Sequence, residues 1–297
     1  MGHSLRKCAA ARADLRSACH LAIAINSAGR LGVVAVKLLC DVPANRDCGL
    51  PTQRSTIMVS STITGEALAI LDGGAITAIR TAAASAVATD HLARRSPSML
   101  GMIGAGNLAV EHAFAIAAVR DITRIVVWSR SAETIGRFRS ATATLGIPVE
   151  SAVSPEDVLA VSDIVCTLTP SRRPIVRGVS FRPGQHVNAV GAPPRADHRE
   201  IDGIGMQRAK VVVDSFPTAV AKSGGVLLAN SEGFITEDDA RTELGDVIVG
   251  KAAGRMSDTD ITLYESVGIG LQDLATAELV IERATARGIG TSINLSG

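Results

Sequence analysis

The run LGMIGAGNLAVEHAFAIAAVRDITRIVVWSR, Leu100 to Arg130, decides the fold. Leu100, Met102 and Ile103 form an apolar run that meets Gly104-Ala105-Gly106. A helical pattern of alanine, valine and isoleucine follows to Arg120, and Ile125 to Trp128 is a second apolar run. The unit reads strand, glycine turn, helix, strand. Gly104 suits the tight turn, Gly106 lets a pyrophosphate approach the backbone at the helix N-terminus, and Ala109 takes the small third position that packs helix on sheet. A glycine turn before a helix is common by itself; the strand before it and the crossover after it make it a dinucleotide-binding fingerprint. An NAD-binding unit usually offers Asp or Glu to the ribose about 20 residues past the glycines. This chain offers Ser129-Arg130-Ser131, with no acid until Glu133. Hydroxyls around a guanidinium suit a 2′-phosphate, so NADP(H) is the preferred cofactor and NAD(H) the second. A solvated surface Arg130 would look the same in sequence.

C-terminal to this unit, residues 132–145 read as the next crossover helix, and Ser154-Pro155-Glu156-Asp157 as a helix cap with Pro at the first position. Ile164–Cys166, His186–Val190 (HVNAV) and Lys210–Asp214 (KVVVD) read as strands. This alternation implies a parallel doubly wound sheet whose ligands lie at the carboxyl ends of the strands. The loop after HVNAV, Gly191 to Glu200 (GAPPRADHRE), lies at such an end with Arg195, Asp197, His198 and Arg199. It is the best candidate for a loop facing substrate and nicotinamide, although a Pro-rich polar loop is more often a plain surface connection. Beyond Ile235 the stretch EDDARTELGDVIVGKAAGR reads as helix, and a long amphipathic helix follows Gly268 through Ala286.

N-terminal to the unit, Leu31–Cys40 (LGVVAVKLLC) reads as a buried strand with one charge, Lys37, which must reach water or find an anion. Residues 56–71 read as a hairpin turning at Thr64-Gly65. Gly73-Gly74 then opens an alanine-rich helix. At about 100° per residue, Ile76, Ile79, Ala83 and Val87 form an apolar stripe, and Thr77, Thr81, Ser85 and Thr89 a separate polar one. Arg80 falls on the apolar side with no acid three or four residues away. It needs an anion from elsewhere: a substrate carboxylate, or a distant structural Asp or Glu.

Composition narrows the classes. The chain has 297 residues, enough for two domains, with 46% hydrophobic and 20% charged residues, so it is globular. A net charge of +1 and 2% aromatics give no case for nucleic acid or an anionic membrane. The five cysteines form no C-x-x-C pair and read as small buried hydrophobes in a reducing compartment, and the six histidines are scattered singly, so no metal is expected. Leu21–Ile25 is too short for a signal-peptide core or a membrane span, which places the protein in the cytoplasm.

Together, Lys37 in its strand, TGEALAILDGGAITAIRTAAASAVA, LGMIGAGNLA, HVNAVGA followed by DHREID, TELGDVIVGKAAGR and ITLYESVGIGLQDLATA resemble the ornithine cyclodeaminase/mu-crystallin family, in the family's order from about Lys37 to Ala286. The resemblance implies an α/β fold. A Rossmann-type doubly wound parallel sheet (residues 96–262) is inserted into an α+β substrate and dimerisation domain made from both chain ends (1–95 and 263–297), with a homodimer built through the N-terminal sheet. It implies that Lys37 and Arg80 hold a substrate carboxylate, that Thr52 lies near substrate or cofactor phosphate, and that a further arginine is Arg12 or Arg16. With the fingerprint it assigns the cofactor to Gly104, Ala105, Gly106, Asn107, Leu108, Ser129, Arg130, Thr81, Val190 and Gly191.

One departure discriminates among activities. The family's cyclodeaminases carry an Asp directly after the Gly-Gly or Gly-Ala that ends the strand, where this chain has Pro193 and then Pro194. Its Asp197-His198-Arg199-Glu200 is instead similar to the pattern of the family's ketimine reductases. The reading is an NAD(P)H-dependent reductase of a small cyclic imino acid such as Δ1-pyrroline-2-carboxylate. Lys37 or water is the proton donor, and Asp197 or His198 the alternative. An ornithine cyclodeaminase, with a shifted Asp197 as base, and a non-catalytic NADPH-dependent binder are the other readings.

Overall fold

A computed structural model of the chain describes residues 24–25, 32–51 and 53–294. It has two compact units: the described residues up to Arg80 with those from Gly270 onward, and Thr81–Ile269.

The first unit holds an antiparallel sheet of β1 (Ala24–Ile25), β2 (Val33–Asp41), β3 (Gln53–Ser61) and β4 (Ala67–Asp72), in that order. Gly65, at φ 76°, closes the β3–β4 turn by donating its N–H to Ser61 O. Alternation sorts the two faces. Val33 and Ala35 of β2 and Ile57 and Val59 of β3 pack with Ile76, Leu274 and Ala277, whereas Val36, Leu38, Met58, Leu68 and Ile70 are exposed on the strands. The terminal helix, Gly270–Ala286, buries Asp273, Leu274 and Ala277.

The helix Gly73–Leu92 reverses the amphipathicity its sequence suggests. Of the apolar stripe only Ile76 is buried; Ile79 and Val87 are 50% and 40% exposed, while Thr81, Ser85 and Thr89 are buried. The small hydroxyls bury because they find partners. Ser85 Oγ lies 3.0 Å from His112 Nε2, and Thr89 Oγ1 accepts from Asn188 Nδ2 at 3.0 Å.

The second unit is a seven-stranded parallel sheet of β5 (Met99–Ile103), β6 (Arg124–Trp128), β7 (Val149–Ser151), β8 (Ile164–Thr167), β9 (His186–Ala189), β10 (Lys210–Val213) and β11 (Thr262–Glu265), in the order β10-β11-β9-β8-β5-β6-β7. Both faces are covered: Leu100 and Met102 of β5 enter one core, and Ile103 the other. From β5 the chain runs outward through β6 and β7, then returns to β8 on the other side of β5. The ends of β5 and β8 are therefore the topological switch point.

Three sequence expectations change here. Thr262–Glu265, for which the sequence offers no strand, is a strand between β9 and β10, within the compact unit Thr81–Ile269. The helix expected after Ile235 is two short turns, Glu237–Ala240 and Leu244–Ile248, stopped by Gly250 at φ 75°. Of the cysteines, Cys166 is buried with its thiol pushed up to about 12 by burial, but Cys48 is exposed and disulfide-bonded. Among the described residues no helix is long and apolar enough to cross a membrane, and no group of His, Cys, Asp or Glu could hold a metal ion.

Candidate active site

In the first unit the inward face of β2 brings Lys37 against two helices. Its Nζ donates to Thr77 Oγ1 at 2.7 Å and to Asp273 Oδ1 at 2.8 Å. Thr77 donates in turn to Gly73 O, which fixes its hydroxyl as an acceptor for the lysine. One turn on from Thr77, Arg80 Nη1 donates to Gln272 Oε1 at 2.8 Å, and its Nε lies 3.2 Å from the same Asp273 Oδ1. The two make an ion pair, but the N–H is not aligned on the oxygen: among the described residues this buried Nε has no hydrogen-bond partner. Lys37 is 6% and Asp273 4% exposed. Burial lowers the Lys37 ammonium below the ordinary lysine value, with Arg80 acting the same way and Asp273 opposing. Asp273 is the distant acid that Arg80 called for, but it is one carboxylate shared by two cations. The cluster keeps one positive charge beyond what it neutralises internally, so it can take one carboxylate from outside.

In the second unit the glycines have distinct duties. Gly104 has φ 109°, and a Cβ there would meet Leu168 O at 2.8 Å; at Gly191 a Cβ would meet Thr169 N at 2.0 Å. These two residues let the ends of β5, β8 and β9 close on one another. At Gly106 a Cβ would meet nothing within 4 Å. Gly106 is the N-cap of the helix Asn107–Ala117, and no side chain caps it. Open space over an uncapped helix start is what a pyrophosphate requires, so the residues present fit a dinucleotide. Ala105 is buried, Asn107 exposed and Leu108 half-buried. Ser129 is half-buried and Arg130 exposed just past β6, while Ser131 Oγ caps the next helix by accepting from Thr134 N. Thr81 and Val190 are buried.

The loop after β9 is largely tied down. Arg199 makes a two-pronged pair with Glu232 at 2.6 and 2.7 Å. His198 is buried, and its Nδ1 lies 2.8 Å from Asp197 Oδ1. The Asp197 side chain is 63% exposed, with its carboxyl held below the usual range first by His198. Glu200 accepts from Thr167 Oγ1, Thr169 N, Thr169 Oγ1 and Gly191 N, and so straps the end of β8 to that of β9. Burial pushes its carboxyl up to about 7 against those donors. Glu265, at the end of β11, is also buried and pushed up to about 7; it accepts from Ser223 Oγ. Asp214, after β10, accepts from Gly268 N and Ser266 Oγ.

Thr52, Arg12 and Arg16 lie outside the described residues. Sequence reasoning missed Asp273 and the Glu200 strap. A signal for Asp273 existed: it sits on the same helical stripe as the buried Ala277, an acid on an apolar face that mirrors Arg80.

The model of the ornithine cyclodeaminase/mu-crystallin family matches residues 21–288. The chain is 36% identical over 265 residues to a Δ1-pyrroline-2-carboxylate reductase of Bacillus cereus, covering 89% of this chain and 81% of that one. Its structure is similar to that of Thermococcus litoralis Δ1-pyrroline-2-carboxylate reductase in complex with NADH and L-proline (TM-score 0.84, 32% identity, 92% and 89% of the two chains). It is similar to the same degree to an archaeal alanine dehydrogenase dimer with bound NAD (TM-score 0.84, 33% identity, 89% and 82%).

Proposed function

This chain belongs to the ornithine cyclodeaminase/mu-crystallin family and is an oxidoreductase, and we propose that it reduces a small cyclic imino acid, such as Δ1-pyrroline-2-carboxylate, with a nicotinamide dinucleotide. The observation that carries this reading is the buried Lys37–Asp273–Arg80 cluster, with its one unbalanced positive charge. It fits the carboxylate of such a substrate, and a solved relative binds L-proline, the corresponding product. When bound, the dinucleotide supplies the hydride that reduces the C=N carbon.

The chain's own residues do the rest. Arg80 and Lys37 hold the carboxylate and so fix the imine carbon, which turns binding energy into orientation. Lys37 gives the imine nitrogen its proton, and the lowered affinity of its ammonium for that proton suits the task. Asp197, the alternative the sequence offers, is a poor proton donor, because its bond to His198 holds the carboxyl below the usual range and keeps it ionised. Gly104, Gly106, Gly191 and the helix start at Asn107 cradle the pyrophosphate. Ser129 and Arg130 face the adenosine ribose and favour NADPH; the solved relatives bind NADH and NAD. An amino-acid cyclodeaminase would need an acid where Pro193 stands. The chain works as a homodimer, as the similar archaeal alanine dehydrogenase is a dimer, and the exposed apolar face of β2, β3 and β4 is the surface that suits the contact.

The test is cofactor oxidation with NADPH and NADH against Δ1-pyrroline-2-carboxylate, with an ammonia assay on L-ornithine plus NAD⁺ beside it. Net cofactor loss with the imine and no ammonia from ornithine is expected. Ammonia release without net cofactor change would establish a cyclodeaminase instead, and cofactor binding without either reaction a non-catalytic binder.

A further inference from the structure

Resting on the reading of Lys37 as the proton donor, we propose that Thr77 is a positioning residue: its hydroxyl, which can only accept from Lys37, stops the ammonium from turning and so fixes which N–H is delivered to the imine nitrogen. Thr77 begins the polar stripe of the helix Gly73–Leu92, and its hydroxyl is held one way. Oγ1 donates to Gly73 O at 2.6 Å, so its hydrogen is spent within its own helix and a lone pair faces Lys37 Nζ at 2.7 Å. Asp273 Oδ1, 2.8 Å from the same nitrogen on the helix Gly270–Ala286, is an acceptor as well. An ammonium has three N–H bonds, and the described residues take two of them. Two fixed acceptors on a tetrahedral nitrogen leave the third N–H a single direction.

This arrangement suits a proton that leaves and returns. The third Nζ–H bond breaks as an N–H bond forms on the imine, and the imine carbon receives a hydride from the dinucleotide. Lys37 is left a neutral amine with a lone pair where the proton was. Both remaining N–H bonds keep their acceptors, so the nitrogen has nothing to rearrange and takes its next proton from solvent in the same direction. Valine nearly keeps the shape of threonine and removes the acceptor. The charged groups that face Lys37 among the described residues, Asp273 and Arg80, would stay in place, and Ile57, opposite it on β3, is apolar. The substitution therefore acts on the ammonium alone: it removes a hydrogen bond to the charged form, which makes the proton easier to lose.

The experiment is the pH profile of kcat and KM for Δ1-pyrroline-2-carboxylate with saturating NADPH or NADH, on the full-length wild type, T77V, T77A and T77S, with thermal melting of each. In T77V, kcat on the acid plateau should fall about tenfold or more while KM stays within about threefold, because Arg80 still holds the carboxylate. The alkaline limb of kcat should move down by about one pH unit. T77S keeps the oxygen and should restore both, and T77A gives the same reading as T77V should valine fail to pack. A folded T77V or T77A with the wild-type kcat and the wild-type limb overturns the proposal and leaves Lys37 as the donor. So does a T77S that behaves like T77V, which makes the loss one of packing, and so does failure of both T77V and T77A to fold, which makes the hydroxyl structural. A wild type that reduces no imine, or whose kcat does not fall with rising pH, overturns the donor reading itself, and the positioning role falls with it.

Discussion

Replacing Arg80 by alanine would leave Lys37 and Asp273 as a neutral buried pair with no charge to offer a carboxylate. Losing a charge-assisted contact in a desolvated site costs about 2–5 kcal/mol. The expected outcome is a fall in kcat/KM of about thirtyfold or more for the imine, measured by steady-state kinetics, with R80K recovering part of it; wild-type kinetics in R80A would sink the clamp. Lys37 adds a pH signature. As proton donor with a lowered pKa, it should make kcat fall with rising pH below the ordinary lysine range, and a profile flat to pH 10 would move the donor elsewhere. At this scale the sequence shows half of the site. A charge inside an apolar run or stripe announces that Lys37 and Arg80 need anions, and it says nothing of which. Asp273 lies 236 residues from Lys37, and only the fold brings them together.

The glycine turn separates two effects that look alike in sequence. Gly104 adopts a positive φ and abuts Leu168 O, so G104A should destabilise the protein by about 1–3 kcal/mol through backbone strain and collision. Gly106 has φ −78° and open space before it, so G106A should melt with the wild type yet bind the dinucleotide at least tenfold more weakly, because its methyl group takes the pyrophosphate's place. Thermal melting and cofactor titration on both variants read this directly; a G106A that binds cofactor normally would remove the glycine from the site. The alternation of strand and helix is legible because period and punctuation are local, as in the capping box of Ser154 and Asp157. β11 was not legible. Thr262–Glu265 is four residues long and runs straight toward a helix, and only its slot between β9 and β10 makes it a strand. The helix Gly73–Leu92 misleads for the opposite reason: its hydroxyls bury because partners on distant strands and helices satisfy them.

For the whole molecule, the exposed row Val36, Met58 and Ile70, adjacent across β2, β3 and β4, should be the dimer seam. M58K should then yield monomers in sedimentation, whereas a wild-type monomer would dismiss the seam. Stability should also vary with pH in a way the buried groups dictate. Burial holds His112 down to about 4 and His186 to about 3, against 6.5 for an ordinary histidine. In the pH window between those values and 6.5 the unfolded chain binds protons that the folded chain refuses, so acid destabilises. Glu200 and Glu265 work in the other sense. Their folded values near 7 exceed 4.5, so the folded chain keeps protons that the unfolded chain has lost; this contribution is complete below 4.5 and lost as pH rises through 7. Each group is worth up to about 3 kcal/mol, His186 up to about 5, and between pH 4.5 and 6.5 the two pairs oppose one another. Melting temperature should therefore be highest across that interval and decline on both sides. Glu265→Gln still accepts from Ser223 but carries no charge, so it should halve the alkaline decline, leaving that of Glu200, and let the acid decline extend up to pH 6.5, where two histidines then face one carboxyl. A wild-type melting temperature that rises steadily from pH 6 to 8.5 would mean that these carboxyls are ionised in the folded protein, and that the strap at the ends of β8 and β9 is an anion held by its four donors.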